Sequence, residues 1–422
     1  MTVDNFSSLR RQIKQGVVLT PGDEGYEQSI VRWSYAAIRR ARIVVQPADK
    51  HEVSAAVKYA TEHNIALVVA GGRHATSGSS SIEGGMVIDL RRMNQVVVDP
   101  EAMVATYGGG CIWKDVDDAC APYNLGTVGG TVNHTGVGGL VLGGGLGWLT
   151  SKYGLAIDNL LEAEVVLADG TIAEASETKN KDLFWALRGA GQNFGVVTSF
   201  TSKLYPVGDV WSGPIVFSLD KMAQIVDFAN YFHENNTGNE SLWIGVVGGM
   251  PGAPFPCIFC MVFYDGSQED AEKFFKPLLD VGPLVSLAKA MPYRDANIQV
   301  PNREEETRRL QGGASIVMPL EQLLLTDLLG LLEPFWKEKN IGEGCGVMFE
   351  LLPHKKVNEV SNTAMAYAAR GEYYHAATIF TWEDEALDQD IRLFNRKVVK
   401  FLKDRGYKGK NAVAQYNNYD SK

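Results

Sequence analysis

Long apolar runs are what this sequence most plainly lacks. No stretch approaches the roughly 18 apolar residues of a membrane span, and the opening MTVDNFSSLRRQIKQGVVLT has no apolar core of a secretory signal. The expected setting is cytoplasmic, with no membrane partner. Positive charge is short as well: 40 Lys and Arg stand against 50 Asp and Glu, for a net charge of −10. A nucleic-acid partner needs a basic face to displace counterions, so none is expected. Cysteine is sparse, and five residues in a large chain imply no disulfide framework. Cys257 and Cys260 form a CxxC, but no second CxxC or HxxxH lies nearby to complete a zinc site. They sit in PCIFCMVFY, an apolar strand-like run, and are expected to be buried strand cysteines. No metal is expected.

Several nucleotide and hydrolase signatures are missing too. There is no GxGxxG with an acidic residue about twenty positions on, which disfavours an NAD(P)-dependent reductase. GxxxxGK[ST], HExxH and GxSxG are also absent.

What is present suffices for two domains: 422 residues, 45% hydrophobic and 21% charged. Residues 42–46 form a short β-branched run. The pattern from Asp49 predicts a helix, with Asp49 as its cap and Val53, Val57 and Ala60 on one face. Residues 65–70 read as a buried strand, giving a β-α-β opening, and 86–90, 94–98 and 163–168 as further strands. Asp169-Gly170 is a hairpin-type turn, and 181–188 is predicted helical. Beyond Tyr205-Pro206 the glycine clusters largely disappear. Strands at 242–247, 257–264, 347–352 and 376–382 alternate with helices at 221–234, 268–279, 321–337 and 387–405. The fold class is α+β.

Glycine, at 44 residues, is clustered. Gly71-Gly72-Arg73-His74 closes the strand at 65–70 and runs into Ala75-Thr76-Ser77-Gly78-Ser79-Ser80-Ser81. Glycine lets backbone N–H groups reach phosphate oxygens, and Ser and Thr add donors, so the loop reads as a pyrophosphate nest. Local sequence leaves His74 open between a functional residue and a loop hydrogen-bonder. The second cluster, GTVGGTVNHTGVGGLVLGGGLG over 126–147, would let the chain lie against a large flat ligand. So much glycine costs backbone entropy, which a bound cofactor would offset; the alternative is a tightly turned loop without a ligand.

In order, the chain shows a strand, GGxH, a strand, TGVGGLxLGGGLGWL, KYG-x4-NLL, VxLADG, FWALRGAGQNFGVVTSF and a late YNNY. This arrangement resembles the berberine-bridge-enzyme-like branch of the vanillyl-alcohol-oxidase superfamily of FAD-linked oxidoreductases. Bacterial 6-hydroxynicotine oxidases and many fungal biosynthetic oxidases belong there. The resemblance is strong over residues 35–207 and weaker over 390–422. It implies a PCMH-type FAD-binding domain over 1–206 and an α+β substrate domain with an antiparallel sheet over 207–390. A segment at 391–422, short relative to the family, would return to the FAD domain.

The resemblance also implies site residues. His74 matches the histidine that bonds the 8α-methyl of the flavin, making FAD covalently linked. Gly71, Gly72, Arg73, Ala75, Thr76, Ser77 and Gly78 match the loop around the pyrophosphate. Gly130, Thr131, Thr135, Gly136, Gly138 and Gly139 match a second FAD-contacting segment, and Gly195, Val196 and Val197 a backbone edge that meets the cofactor. Tyr416, Asn418 and Tyr419 match the Y-x-N-Y element beside the isoalloxazine. Three positions depart from the pattern. Some relatives make a second flavin bond through a cysteine where this chain has Val132, so one covalent bond is expected. The oxygen-gatekeeper position holds Thr135, close to valine in size, which leans towards oxidase. Relatives continue past Y-x-N-Y into a final helix, whereas this sequence ends at Asp420-Ser421-Lys422.

The activity so implied is that of an FAD-dependent oxidase. Hydride passes from a small organic substrate, a secondary metabolite, alcohol or amine, to flavin N5, and O2 reoxidises the flavin. A flavin-binding protein without catalysis and a dehydrogenase with another acceptor are the alternatives. Tyr416 and Tyr419 are the leading base candidates, although a tyrosine base needs a depressed pKa and either residue could simply pack against the flavin. In the second domain Glu350, Tyr367, Tyr373 and His375 are further candidates; a strand histidine such as His375 is more often packed than catalytic. His134 adjoins the second glycine segment and either lies near the flavin edge or points to water. Composition fixes neither the substrate nor an oligomeric state.

Overall fold

The structure is a computed structural model that describes residues 6–299, 307–406 and 416–419. The chain divides into two compact units. The first comprises Met1–Gly145, Ala156–Pro206 and Thr363–Tyr367; the second comprises Leu146–Leu155, Val207–Asn362 and Ala368–Lys422. The change of unit at Pro206–Val207 coincides with the loss of glycine clusters in the sequence. Two short segments, Leu146–Leu155 and Thr363–Tyr367, are exchanged between the units, and nothing in their composition marks them.

The first unit holds two larger sheets, besides the two-stranded pairing of Leu125–Gly126 with Tyr205–Pro206. Strands β1 (Val17–Leu19), β2 (Ile43–Gln46), β3 (Leu67–Ala70) and β4 (Met86–Asp89) form a sheet of order β1-β2-β4-β3. β4 runs parallel to both β2 and β3, and β1 is antiparallel to β2. The crossover between β2 and β3 is helix α1 (Lys50–Glu62). Asp49 caps it, its carboxylate accepting from His51 N at 2.8 Å and Glu52 N at 3.0 Å. Val53, Val57 and Ala60 are buried with Val45, Met86 and Ile88, so the apolar stripe meets the sheet as its periodicity predicts. Glu52, on the same helix, is also buried. Its carboxylate accepts from the backbone N–H groups of Lys14, Gln15 and Ala48 at 2.7–2.8 Å and tethers the chain ahead of β1.

The second sheet of this unit is antiparallel. It contains β5 (Val96–Asp99), β6 (Val104–Gly108), β7 (Leu160–Val166), β8 (Ile172–Ser176) and β9 (Val196–Lys203), in the order β5-β6-β9-β7-β8. β7 and β8 are joined at Asp169-Gly170, where Gly170 has φ 79°.

One eight-stranded sheet dominates the second unit. Its strands are β10 (Asp209–Phe217), β11 (Glu240–Val247), β12 (Cys257–Tyr264), β13 (Val285–Ser286), β14 (Lys289–Pro292), β15 (Arg308–Ile316), β16 (Gly346–Leu351) and β17 (Tyr374–Trp382). The order is β13-β10-β12-β11-β16-β17-β15, with β14 pairing β10, and every pairing is antiparallel. Helices α2 (Met222–Asn235), α3 (Gln268–Leu279), α4 (Gln322–Lys339) and α5 (Asp388–Gly406) pack as a layer, α3 on β10 and α5 on β15 and β17. Phe228, Phe232 and Phe275 fill the space under α2 and α3, with Phe275 5.4 Å from Trp211 of β10. α5 belongs to this unit: Thr378 of β17 donates to Asn395 of α5 at 2.5 Å. The expected return of 391–422 to the first domain is therefore not met by this helix, whose apolar face is taken by the larger sheet. Cys257 and Cys260 are buried on β12, as expected.

Candidate functional sites

In the first unit, strand β3 delivers the GGRH segment. Gly72 lies against Gly136: a Cβ on Gly72 would stand 2.3 Å from Gly136 Cα. The loop of Gly72 and the segment of Gly136 thus meet backbone to backbone, which only glycine permits. The segment is itself anchored, since Trp113 N donates to Thr135 O and Val137 N to Cys111 O, each at 3.0 Å. Gly109 completes the floor. A Cβ there would lie 2.3 Å from Val197 O, while one on Gly71 would lie 3.0 Å, and one on Gly138 3.4 Å, from Gly109 O. Gly71, Gly72, Gly136, Gly138 and Val197 lie together, and Gly195, just ahead of β9, and Val196 at its start face Val166 of β7. Gly130 packs on Trp113, and Gly139 has open space where a side chain would be. The part of Gly109 was not anticipated, although the run Gly108-Gly109-Gly110 after a strand could have signalled it.

Charge gathers at the same loop. Arg73 takes a left-handed conformation, φ 58°. Burial holds the Arg73 guanidinium below its usual pKa, with Arg91 adding to the effect and Asp89 opposing it. Burial brings Arg32 down to about 10, Asp89 opposing and Arg73 and Arg91 reinforcing the shift. Arg32 donates through Nη2 to Ser80 O at 2.7 Å, and Arg91 through Nε to the buried Asp89 carboxylate at 2.6 Å. Three guanidiniums share one carboxylate, so this group carries a positive surplus suited to an anion. The hydroxyls of Ser80 and Ser81 are buried and find no hydrogen-bond partner among the described residues. Buried hydroxyls without partners are costly, and an acceptor such as a phosphate oxygen would satisfy them.

His74 stands at the rim of this cradle. Its ring stacks on Trp33, centroids 3.8 Å apart and planes 14° from parallel, and its Nε2 is 3.0 Å from His134 Nδ1. Trp33 N donates to Arg73 O at 3.1 Å, tying the stacking partner to the loop. Neither Trp33 nor Arg32 belongs to any motif, and no sequence signal marks them.

The second unit carries a separate, buried polar cluster. Glu350 on β16 is paired across the sheet with His375 on β17. Burial pushes the Glu350 carboxyl up to about 7 against a hydrogen bond from Tyr419, whose Oη donates at 2.7 and 2.8 Å to the two carboxylate oxygens. Burial and the Glu350 charge raise Tyr419 well above the usual phenol range. Tyr416 Oη accepts from Leu146 N at 3.2 Å and from Asn418 Nδ2 at 2.8 Å. The rings of Tyr416 and Tyr419 are 5.0 Å apart, and His375 lies 5.2 Å from Tyr416. Burial holds His375 neutral, well below the usual pKa, and its Nε2 has no hydrogen-bond partner among the described residues. Tyr373 is 5.5 Å from His375. Tyr367 lies instead in the first unit, where its N–H donates to Arg188 O. Tyr416, Asn418, Tyr419, His375, Tyr373 and Glu350 therefore form one group. Within it the raised phenol keeps the Tyr419 hydroxyl protonated as a donor to the Glu350 carboxylate.

Residues 41–176 match a family described as an FAD binding domain. The FAD-linked oxidoreductase pgmH of Aspergillus terreus is 34% identical over 418 residues, covering 95% of this chain and 84% of that protein. The (R)-6-hydroxynicotine oxidase of Paenarthrobacter nicotinovorans is 30% identical over 377 residues, covering 86% and 81%. Among solved structures, 6-hydroxy-D-nicotine oxidase from Arthrobacter nicotinovorans superposes with a TM-score of 0.83 at 26% identity, over 97% of this chain and 89% of that one. The berberine bridge enzyme of Eschscholzia californica shares the fold, with a TM-score of 0.83 at 20% identity over 98% and 87%.

Proposed function

The chain belongs to the FAD-linked oxidoreductases, and we propose that it holds FAD covalently through His74 and acts as an oxidase on a small organic substrate. The observation that carries this reading is the His74 ring, stacked on Trp33 at the rim of a glycine cradle with a positive surplus and buried serine hydroxyls. The residues present fit the cofactor. Gly71, Gly72, Arg73, Ala75, Thr76, Ser77 and Gly78, with Ser80 and Ser81, would hold the pyrophosphate. Gly136, Gly138, Gly139, Gly195, Val196 and Val197 would give the isoalloxazine a surface without side-chain clashes. With Val132 in place of a cysteine, His74 is the single tether.

Bound FAD supplies the two-electron acceptor that no side chain can provide. The chain's own part is proton handling. Glu350, with its carboxyl near neutrality, accepts the proton of a substrate O–H or N–H, directly or through Tyr419, which passes its own hydroxyl proton to the carboxylate. Neutral His375 and the Tyr416 hydroxyl orient the substrate by hydrogen bonds. Thr135, close to valine in size, leaves room for O2, which favours the oxidase over a dehydrogenase with another acceptor. Among the described residues no helix is long and apolar enough to cross a membrane. The five cysteines are buried, none of them in a disulfide.

The test is the mass of the intact denatured chain. Wild-type protein is expected to carry the added mass of one FAD, lost in His74→Ala; an unmodified mass in a yellow preparation would remove the covalent link and leave flavin binding. Oxygen consumption with candidate alcohols, amines and phenols separates oxidase from catalytically silent binder.

A further inference from the structure

We propose that His134 is the positioning residue for flavin attachment: it accepts the proton of His74 Nε2 and so makes Nδ1 the nitrogen that forms the covalent bond. The proposal rests on the covalent reading above and adds the residue that prepares the histidine for it. A neutral imidazole has one N–H and one lone-pair nitrogen, and the hydrogen bond made by one decides the role of the other. His74 Nε2 and His134 Nδ1 are 3.0 Å apart, so one proton is shared between them. With that proton on Nε2, the nucleophilic lone pair sits on Nδ1.

The surroundings give the contact a fixed geometry. Trp33 sets the plane of the His74 ring. The contact with His134 then sets the rotation of the ring within that plane. His134 itself sits on a pinned segment: Lys114 N donates to Asn133 O at 2.7 Å, Trp113 N to Thr135 O at 3.0 Å, and Thr135 N to Val132 O at 3.2 Å. The neighbours on both sides of His134 are therefore held by backbone bonds. A histidine on a mobile turn could not hold a partner ring in one orientation.

The attachment step balances as follows. A bond forms between His74 Nδ1 and the flavin 8α carbon, and one C–H bond of that methyl breaks. The methyl proton leaves to solvent, and the Nε2 proton passes to His134. The electron pair of the C–H bond reduces the flavin, which takes up two protons. Dioxygen then takes the two electrons and two protons and leaves as hydrogen peroxide.

The experiment compares wild type, His134→Leu, His134→Asn and His134→Gln. Flavin bound in the native protein is read by absorbance after gel filtration, and flavin attached is read by the mass of the denatured chain. Samples are incubated with FAD in air to follow the rate. In the Leu variant, attachment is expected to slow about tenfold or more, the usual cost of losing a partner that orients a working histidine, while flavin stays bound. The Asn carboxamide oxygen lies near the place of Nδ1 and is expected to restore attachment in part, whereas Gln, reaching further, restores less. A merely structural role would lower binding and attachment together. Attachment in the Leu variant at the wild-type rate and extent would overturn the proposal while leaving His74 as the tether. Wild type without attached FAD would overturn both. Should the Leu variant not fold, the pair Asn and Gln decides: faster attachment with Asn supports the proposal, and equal rates sink it.

Discussion

At the residue scale, two buried carboxylates point in opposite directions. Glu350 has its pKa raised by burial, so the folded protein holds a proton there that the unfolded chain has already released. Stability from this group is present below the unfolded value near 4.5 and is lost as pH rises to about 7. Glu350→Gln should therefore gain stability at pH 8 relative to pH 5, by about 2–3 kcal/mol at most, as read from urea titrations at the two pH values. The same variant should lose about 10²–10⁴-fold in kcat/KM, while the wild-type rate falls below pH 7 as the carboxyl takes up its proton. An unchanged pH profile in the Gln variant would exclude Glu350 as the base. Glu52 is the reverse case. Burial pushes it up, but the backbone N–H groups of Ala48, Gln15, Gly16 and Lys14 pull harder, and the net shift is downward. Its contribution is complete above the unfolded value near 4.5 and is lost as pH falls through the lower folded value. Glu52→Gln would set an amide donor against Ala48 N–H, costing about 1–3 kcal/mol at pH 7. The gap from wild type should close on acidification in thermal melts.

At the element scale, local signals were legible where the physics is local. Asp49 as cap, the stripe Val53-Val57-Ala60, and the Asp169-Gly170 turn all follow from neighbours a few residues apart. The strands Asp209–Phe217 and Arg308–Ile316 carry too little alternation to be seen; partner strands define them, one of them beginning some seventy residues away at Tyr374. The same limit hid half of each site. His74 and the glycines could be read because a motif carries them. Arg32, Trp33 and the bond from Tyr419 to Glu350 could not, because only folding brings those residues to their partners. Two element-level substitutions test the packing. Asp49→Ala should cost about 1 kcal/mol through the lost cap. Phe275→Ala should cost about 3–5 kcal/mol, because Trp211, Phe228 and Phe232 close around that ring and cannot collapse into the gap. Chemical denaturation followed by tryptophan fluorescence reads both.

At the scale of the whole molecule, the glycine clusters thin out where the unit changes at Pro206–Val207, but composition carries no sign of the exchanged segments or of the seating of Asp388–Gly406, which depend on which sheet offers an apolar face. All five cysteines are buried and none is in a disulfide, and burial pushes Cys111 and Cys120 up to about 12 and Cys257 up to about 11. A thiol reagent at pH 8 should therefore label none of them in the native protein and all five in denaturant; rapid labelling of the native chain would show that the buried packing opens. The meeting of Gly72 with Gly136 reaches furthest. Sixty-four positions apart in sequence, they are one position in mutational terms: a methyl group on either must push the other's backbone aside. In a saturation library both columns should stand nearly empty, and no second change at the partner could refill them, because glycine has nothing left to remove.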